Sequence, residues 1–281
     1  MKKDKQVRTW LWVLLVAALA GLAYYLYYQS TQEHTGPRKR VKIAVKDKDT
    51  SHGLPLGETP PAAAPEEDTY GKIEKDVAEF FHYLDQKEYI KKMDLKVDTY
   101  TRFKGILKRL ASRPPVPAGE GKDPRITVAN IYHFFRVLKK DKKDLQLFRE
   151  VIRHEQDNME FTLEMFYKWL ALGRDRPDGE GVRPSMEVLY RYAAFFLNTT
   201  GGTAYVFRRP GDIRLPFVYY CLLVVHHADK EGRNTYGIDI YPQITRLKKE
   251  MGRYSDLQLQ GDYLKQLHQM EDYYRKNRQG R

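Results

Sequence analysis

An all-α protein is expected from three features of the sequence. From Tyr70 onward apolar residues recur three and four positions apart, Pro/Gly-rich turns cut that pattern into segments, and helix starts fall roughly every 25 to 30 residues. The predicted architecture is an N-terminal transmembrane helix, a flexible linker and an irregular bundle of roughly eight or nine helices, with an α-solenoid as the alternative. Three parts follow along the chain: a basic segment with its anchor over 1–28, a Pro/Ala/charged linker over 29–69, and a helical soluble domain over 70–281.

The anchor is the run Trp10 to Tyr28, WLWVLLVAALAGLAYYLYY, which carries no charge. As a helix it would extend about 28 Å, close to the hydrocarbon thickness of a bilayer. Trp10 and Trp12 stand at one end and Tyr24, Tyr25, Tyr27 and Tyr28 at the other, where amphipathic rings favour the two membrane–water boundaries. Lys2, Lys3, Lys5 and Arg8 precede the run as in a signal anchor, and Ala18-Leu19-Ala20 offers a cleavage site within it. Apolar sequence continues past Ala20, which suits an uncleaved helix. Arg38, Lys39, Arg40, Lys42, Lys46 and Lys48 lie beyond the far end and oppose this orientation, but they begin ten residues away. The expectation is therefore a single-pass protein of the cell membrane, its soluble domain on the extracytoplasmic (periplasmic) side.

Arg38, Lys39, Arg40 and Lys42 would touch anionic headgroups at the membrane surface. The Pro, Ala, Gly and charged residues that follow suit an extended spacer. Asp47, Asp49, Ser51 and Glu58 have the spacing of a calcium loop, yet His52 occupies the position that needs glycine and Pro55 follows, so calcium binding is rejected.

In the helical body, Ile73, Val77, Phe80, Phe81 and Leu84 form the first stripe, behind Asp68 or Thr69 as a cap. Tyr100, Phe103, Leu107 and Leu110 form the second, opened by Asp98 and stopped by Pro114-Pro115. Asp123-Pro124 starts a third with Ile131, Phe134, Phe135 and Leu138. Leu145, Phe148 and Ile152 mark a fourth helix, Leu163, Phe166 and Leu170 a fifth, and Val188, Leu189, Tyr192 and Phe196 a sixth capped by Ser185. Ala204 to Phe207 reads as a short strand or hairpin arm beside paired glycines. Leu215 to Val225 is unbroken apolar sequence, too short to span a bilayer and suited to a helix buried on all sides at the centre of the core. Pro242, Ile244, Leu247 and Met251 give the next helix; the last opens at Ser255 and carries Leu264, Leu267, Met270 and Tyr274, with Gly261-Asp262 as a break.

Residues 70–281 hold 39 of the 49 Lys and Arg and 29 of the 37 Asp and Glu, so a net +10 of the total +12 belongs to the body. That excess draws anionic partners, whereas its scatter along the sequence argues against nucleic acid. Aromatics reach 13% with 21 Tyr, which fits a core packed with large rings or a Tyr-lined groove for sugar or peptide. The single Cys221 excludes an intramolecular disulfide and, inside LPFVYYCLLVV, reads as a buried thiol.

Chemistry-bearing motifs are sparse. His226, His227 and Asp229 close the central apolar helix as the metal candidate, but adjacent imidazoles point about 100° apart on a helix. Contact with the negative end of the helix explains them more simply. Glu79 and His82 have di-iron spacing without the second copy that such a site needs. Glu150 with His154 and Glu160 with Glu164 read as solvated pairs one turn apart. GEGK at 119–122 lacks the remaining elements of a phosphate loop, and there is no GxSxG, HExxH or paired CxxC. No catalytic residue, cofactor or metal is assigned. The expected function is a membrane-tethered binding, scaffold or accessory subunit of the cell envelope, acting through a protein partner or an anionic surface. The alternative is an anchored envelope enzyme acting on glycan or peptide in an aromatic, carboxylate-containing cleft.

Overall fold

The computed structural model describes residues 67–116, 124–139, 141–172 and 184–279, all within the unit Val45–Arg281. The expected transmembrane helix, the linker to residue 66, the rejected calcium loop and GEGK at 119–122 lie outside the described residues. Among the described residues there are eleven α-helices, one 3₁₀ turn and no strand, and no helix is long and apolar enough to cross a membrane. The helices are α1 Glu67–Asp85, α2 Glu88–Lys91, α3 Thr99–Ser112, α4 Pro124–Lys139, α5 Lys142–His154, α6 Met159–Leu172, α7 Met186–Asn198, α8 Thr200–Phe207, α9 Gly211–Lys230, α10 Tyr241–Met251 and α11 Gln260–Gln279.

The central element is the expected one. Helix α9 buries Ile213, Leu215, Tyr219, Leu222, Val225 and Ala228 on several faces, because α6, α7, α8 and α10 all pack against it. Burying an aliphatic side chain of this size contributes about 1.5–3 kcal/mol. Helix α6 joins this core to a second one. Tyr167 rings with Tyr220 of α9, while Trp169, two residues on and so about 200° round the helix, is 2% exposed in the cluster built on Val77, Phe81 and Leu84 of α1. A third cluster joins Ile106 of α3, Phe134 of α4 and Phe195 of α7. Since α1 packs on α6 and α6 on α9, contacts skip along the chain. A solenoid would confine them to neighbours. The body is an irregular bundle.

Caps explain several boundaries. Asp98 accepts the Thr101 N–H at 2.7 Å and Ser185 the Val188 N–H at 3.4 Å, as expected for helix starts. Pro114 and Pro115 end the chain's run after α3, and their carbonyls accept from Arg191 of α7 at 3.1 and 2.7 Å. The structure corrects five expectations. Asp68 and Thr69 lie inside α1, which begins by Glu67. The four-residue α2 was not foreseen; it buries Ile90. In α5 the buried face centres on Asp144 and Leu147, because Arg102 and Arg109 of α3 both pair with Asp144 and draw the helix round, leaving Leu145, Phe148 and Ile152 half-buried. Burial pushes the Asp144 carboxyl up, against the two guanidiniums that hold it down.

The fourth correction concerns Ala204 to Phe207, which belongs to helix α8 and not to a strand. Thr199 caps it by accepting the Gly202 N–H at 3.3 Å while donating to the Phe195 carbonyl at 2.8 Å. The chain turns so sharply between α7 and α8 that a Cβ on Gly202 would sit 2.1 Å from the Phe195 carbonyl oxygen. Only glycine fits there. Fifth, α11 starts at Gln260 and runs unbroken through Gly261-Asp262. Its entry is capped from a distance: the buried Glu160 of α6 accepts the Gln258 and Leu259 N–H groups, each at 2.9 Å, and Ser255 plays no such part.

Candidate functional site

The expected histidine site lies at the C-terminal end of α9, and the structure closes it with protein. His226 is 3% exposed, its Nδ1 3.2 Å from the Tyr274 hydroxyl, with the Tyr273 and Tyr274 rings edge-on to it. Burial, with the nearby Asp229 carboxylate, raises the Tyr274 phenol, which therefore stays protonated beside the imidazole. Burial, reinforced by His227 and Lys230, pushes the imidazole down to about 3, so His226 is a neutral ring and no counter-charge to the helix end.

Asp229 accepts from Asn234 at 3.2 Å, and Asn234 accepts from Tyr190 at 2.6 Å and from the Ile238 N–H at 2.8 Å. This network ties α7, α9, α11 and the loop after α9 together. The His227 ring stands 6.2 Å from that of His226 at 52°, so the two imidazoles do not converge. No group of three or more His, Cys, Asp or Glu among the described residues is placed to hold a metal ion.

The other sequence candidates resolve separately. Glu79 is exposed and paired with Lys75 at 3.7 Å, and His82 bonds Gln86 at 2.9 Å, both on the surface of α1. Glu160 is not solvated as expected; it is the buried cap of α11, and burial raises its carboxyl against the backbone N–H groups that lower it. Glu150 faces His154 at 3.5 Å on α5. Burial raises the Cys221 thiol, which is therefore an inert core group.

The tyrosines largely serve the core. Tyr190, Tyr219 and Tyr263 are buried, and burial raises each phenol. Among the described residues, Tyr89, Gln146, Glu150 and His154 help to line an aromatic, carboxylate-containing concavity of about 500 Å³. Tyr89 stacks on His154 at 4.2 Å. The buried Glu155 behind it is committed to three donors, Tyr89 at 2.8 Å, Tyr83 at 3.0 Å and Asn158 at 3.1 Å. Such a carboxylate holds α1 and α2 to the end of α5.

The feature that sequence reasoning missed lies at the opposite, N-terminal end of α9. Phe207, the last residue of α8, is 49% exposed, with the Arg214 and Arg246 guanidiniums over its ring at 5.3 and 5.4 Å. Arg209 covers Tyr205 at 4.6 Å. Arg214 and Arg246 share Glu250 at 2.7 and 3.7 Å, and Arg208 and Arg253 are exposed at the same corner, where Tyr254 packs against Gly211. Asp212 bonds Gln156 at 2.6 Å. Two guanidiniums that share Glu250 thus flank a half-exposed ring, with Arg208 and Arg209 next to it in the chain and Arg253 exposed three positions after Glu250. The signal was present as YVFRRPGDIR, but reading a strand there hid its place at a helix–helix corner. The chain matches no protein-family model, no curated protein and no solved structure.

Proposed function

We propose that this chain is a membrane-tethered helical binding module of the cell envelope, its body on the extracytoplasmic side and engaged with a protein partner or an anionic surface. The observation that carries the reading is the Phe207 corner, a cationic and partly apolar surface with the Arg214 and Arg246 guanidiniums over a half-exposed ring. The uncharged Trp10–Tyr28 run supplies the tether in this reading, with Arg38, Lys39, Arg40 and Lys42 beside the headgroups. The committed state of Glu155 and the buried state of His226 favour binding over catalysis.

Alkaline extraction of membranes carrying the full chain, followed by protease treatment from the extracytoplasmic side, tests the proposal. The expected result is a protein retained in the pellet and digested from outside. Full release into the soluble fraction overturns it.

A further inference from the structure

We propose that the Phe207 corner is a docking surface for anionic phospholipid headgroups, on which the helical body lies against the bilayer. The inference rests on the tethered-module reading and names the surface that such a module would meet.

Charge is the first argument. Arg208, Arg209, Arg214, Arg246 and Arg253 come from this part of the chain, and of them Arg214 and Arg246 share the single carboxylate of Glu250. Guanidinium groups present planar donor forks that match phosphate oxygens, and they remain charged when partly withdrawn from water. Arg208 and Arg253 are exposed, so they reach a headgroup without breaking the Glu250 pairs.

Shape is the second argument. A protein partner of ordinary affinity wants a broad apolar centre within a polar rim. Here one half-exposed ring is flanked by two guanidiniums that stand over it. That arrangement suits a lipid interface, where an aromatic ring enters the headgroup–acyl boundary and the arginines stay level with the phosphates.

The test uses the full-length chain in nanodiscs of phosphatidylcholine alone and of phosphatidylcholine with about a third phosphatidylglycerol. Backbone hydrogen exchange is followed over residues 203–214. Slower exchange is expected in the anionic discs only, and it is lost when salt is raised to about 0.5 M. The double variant Arg208→Ala, Arg253→Ala should weaken the protection about fivefold for each arginine removed, with an unchanged circular dichroism spectrum. Equal exchange in both discs overturns the proposal. So does protection by soluble polyglutamate without protection by lipid, which would assign the corner to an acidic protein. If the chain is not retained in either disc, the tether fails separately; the same chain is then mixed with vesicles of the two compositions. Flotation with the anionic vesicles alone upholds the corner, and flotation with neither overturns both readings.

Discussion

The two ends of α9 are built on opposite principles. At its C-terminal end His226, Asp229, Asn234, Tyr190 and Tyr274 satisfy one another, and the imidazole is a neutral packing group. At its N-terminal end Arg214 and Arg246 share one carboxylate and a phenyl ring stands half in water between them. Chemically suggestive residue types occupy the closed end and ordinary surface ones the open end. The two ends therefore differ in what they expose to solvent, and the presence of histidine or aspartate does not by itself mark a site.

Three perturbations would break or sharpen this contrast. The largest effect is expected from Gly202→Ala, whose new methyl would meet the Phe195 carbonyl oxygen at 2.1 Å and force α8 away from α7. A loss of about 3 kcal/mol or more in urea unfolding is expected, together with loss of the Phe207 geometry; a neutral result would mean that the open end is not rigidly placed. Next comes Asn234→Ala at the closed end. It removes the acceptor of the Tyr190 hydroxyl proton and of the Ile238 N–H, which now bond Asn234 at 2.6 and 2.8 Å, and should cost about 2–4 kcal/mol without altering lipid-dependent exchange at residues 203–214.

The smallest, read over a single pH unit, is a pH effect. Unfolded His226 takes up a proton near 6.5 and the folded ring resists until about 3, so its contribution is complete above that upper value and is lost as pH falls through the window. The slope from this group is at most about 1.4 kcal/mol per pH unit. His227, Lys230, Tyr273 and Tyr274 neighbour the same ring, and Asp229 stands behind Tyr274, so the check is a difference measurement. His226→Gln should flatten the acid limb of the stability curve relative to the unaltered chain.

Helical periodicity made much of the fold legible. The α9 core segment, the caps at Asp98 and Ser185 and the α1 stripe through Val77, Phe81 and Leu84 are local patterns, and local patterns survive in sequence. Asp144 and Glu160 were not legible as interior residues. Each is a carboxylate whose partners lie far off in the chain: two arginines for Asp144, two backbone amides for Glu160. The segment TTGGTAYVF has β-branched and glycine residues that favour a strand locally, and the Thr199 cap with the tight α7–α8 approach overrides them. The open corner was hidden for a related reason. Arg246 and Glu250 come from α10, so the ring of charge around Phe207 exists only after folding.

The Glu160 carboxylate bears on how the molecule is made. The amides it receives lie 98 and 99 positions later, so during synthesis the acceptor waits, already translated, for the donors to leave the ribosome. The final helix therefore has no completed beginning of its own until the middle of the chain is in place, and assembly should close from the interior outward to the C-terminus. A nascent chain arrested before Gln258 would expose an acidic group and the apolar cradle of α11 together, the state in which quality-control factors would find it most vulnerable.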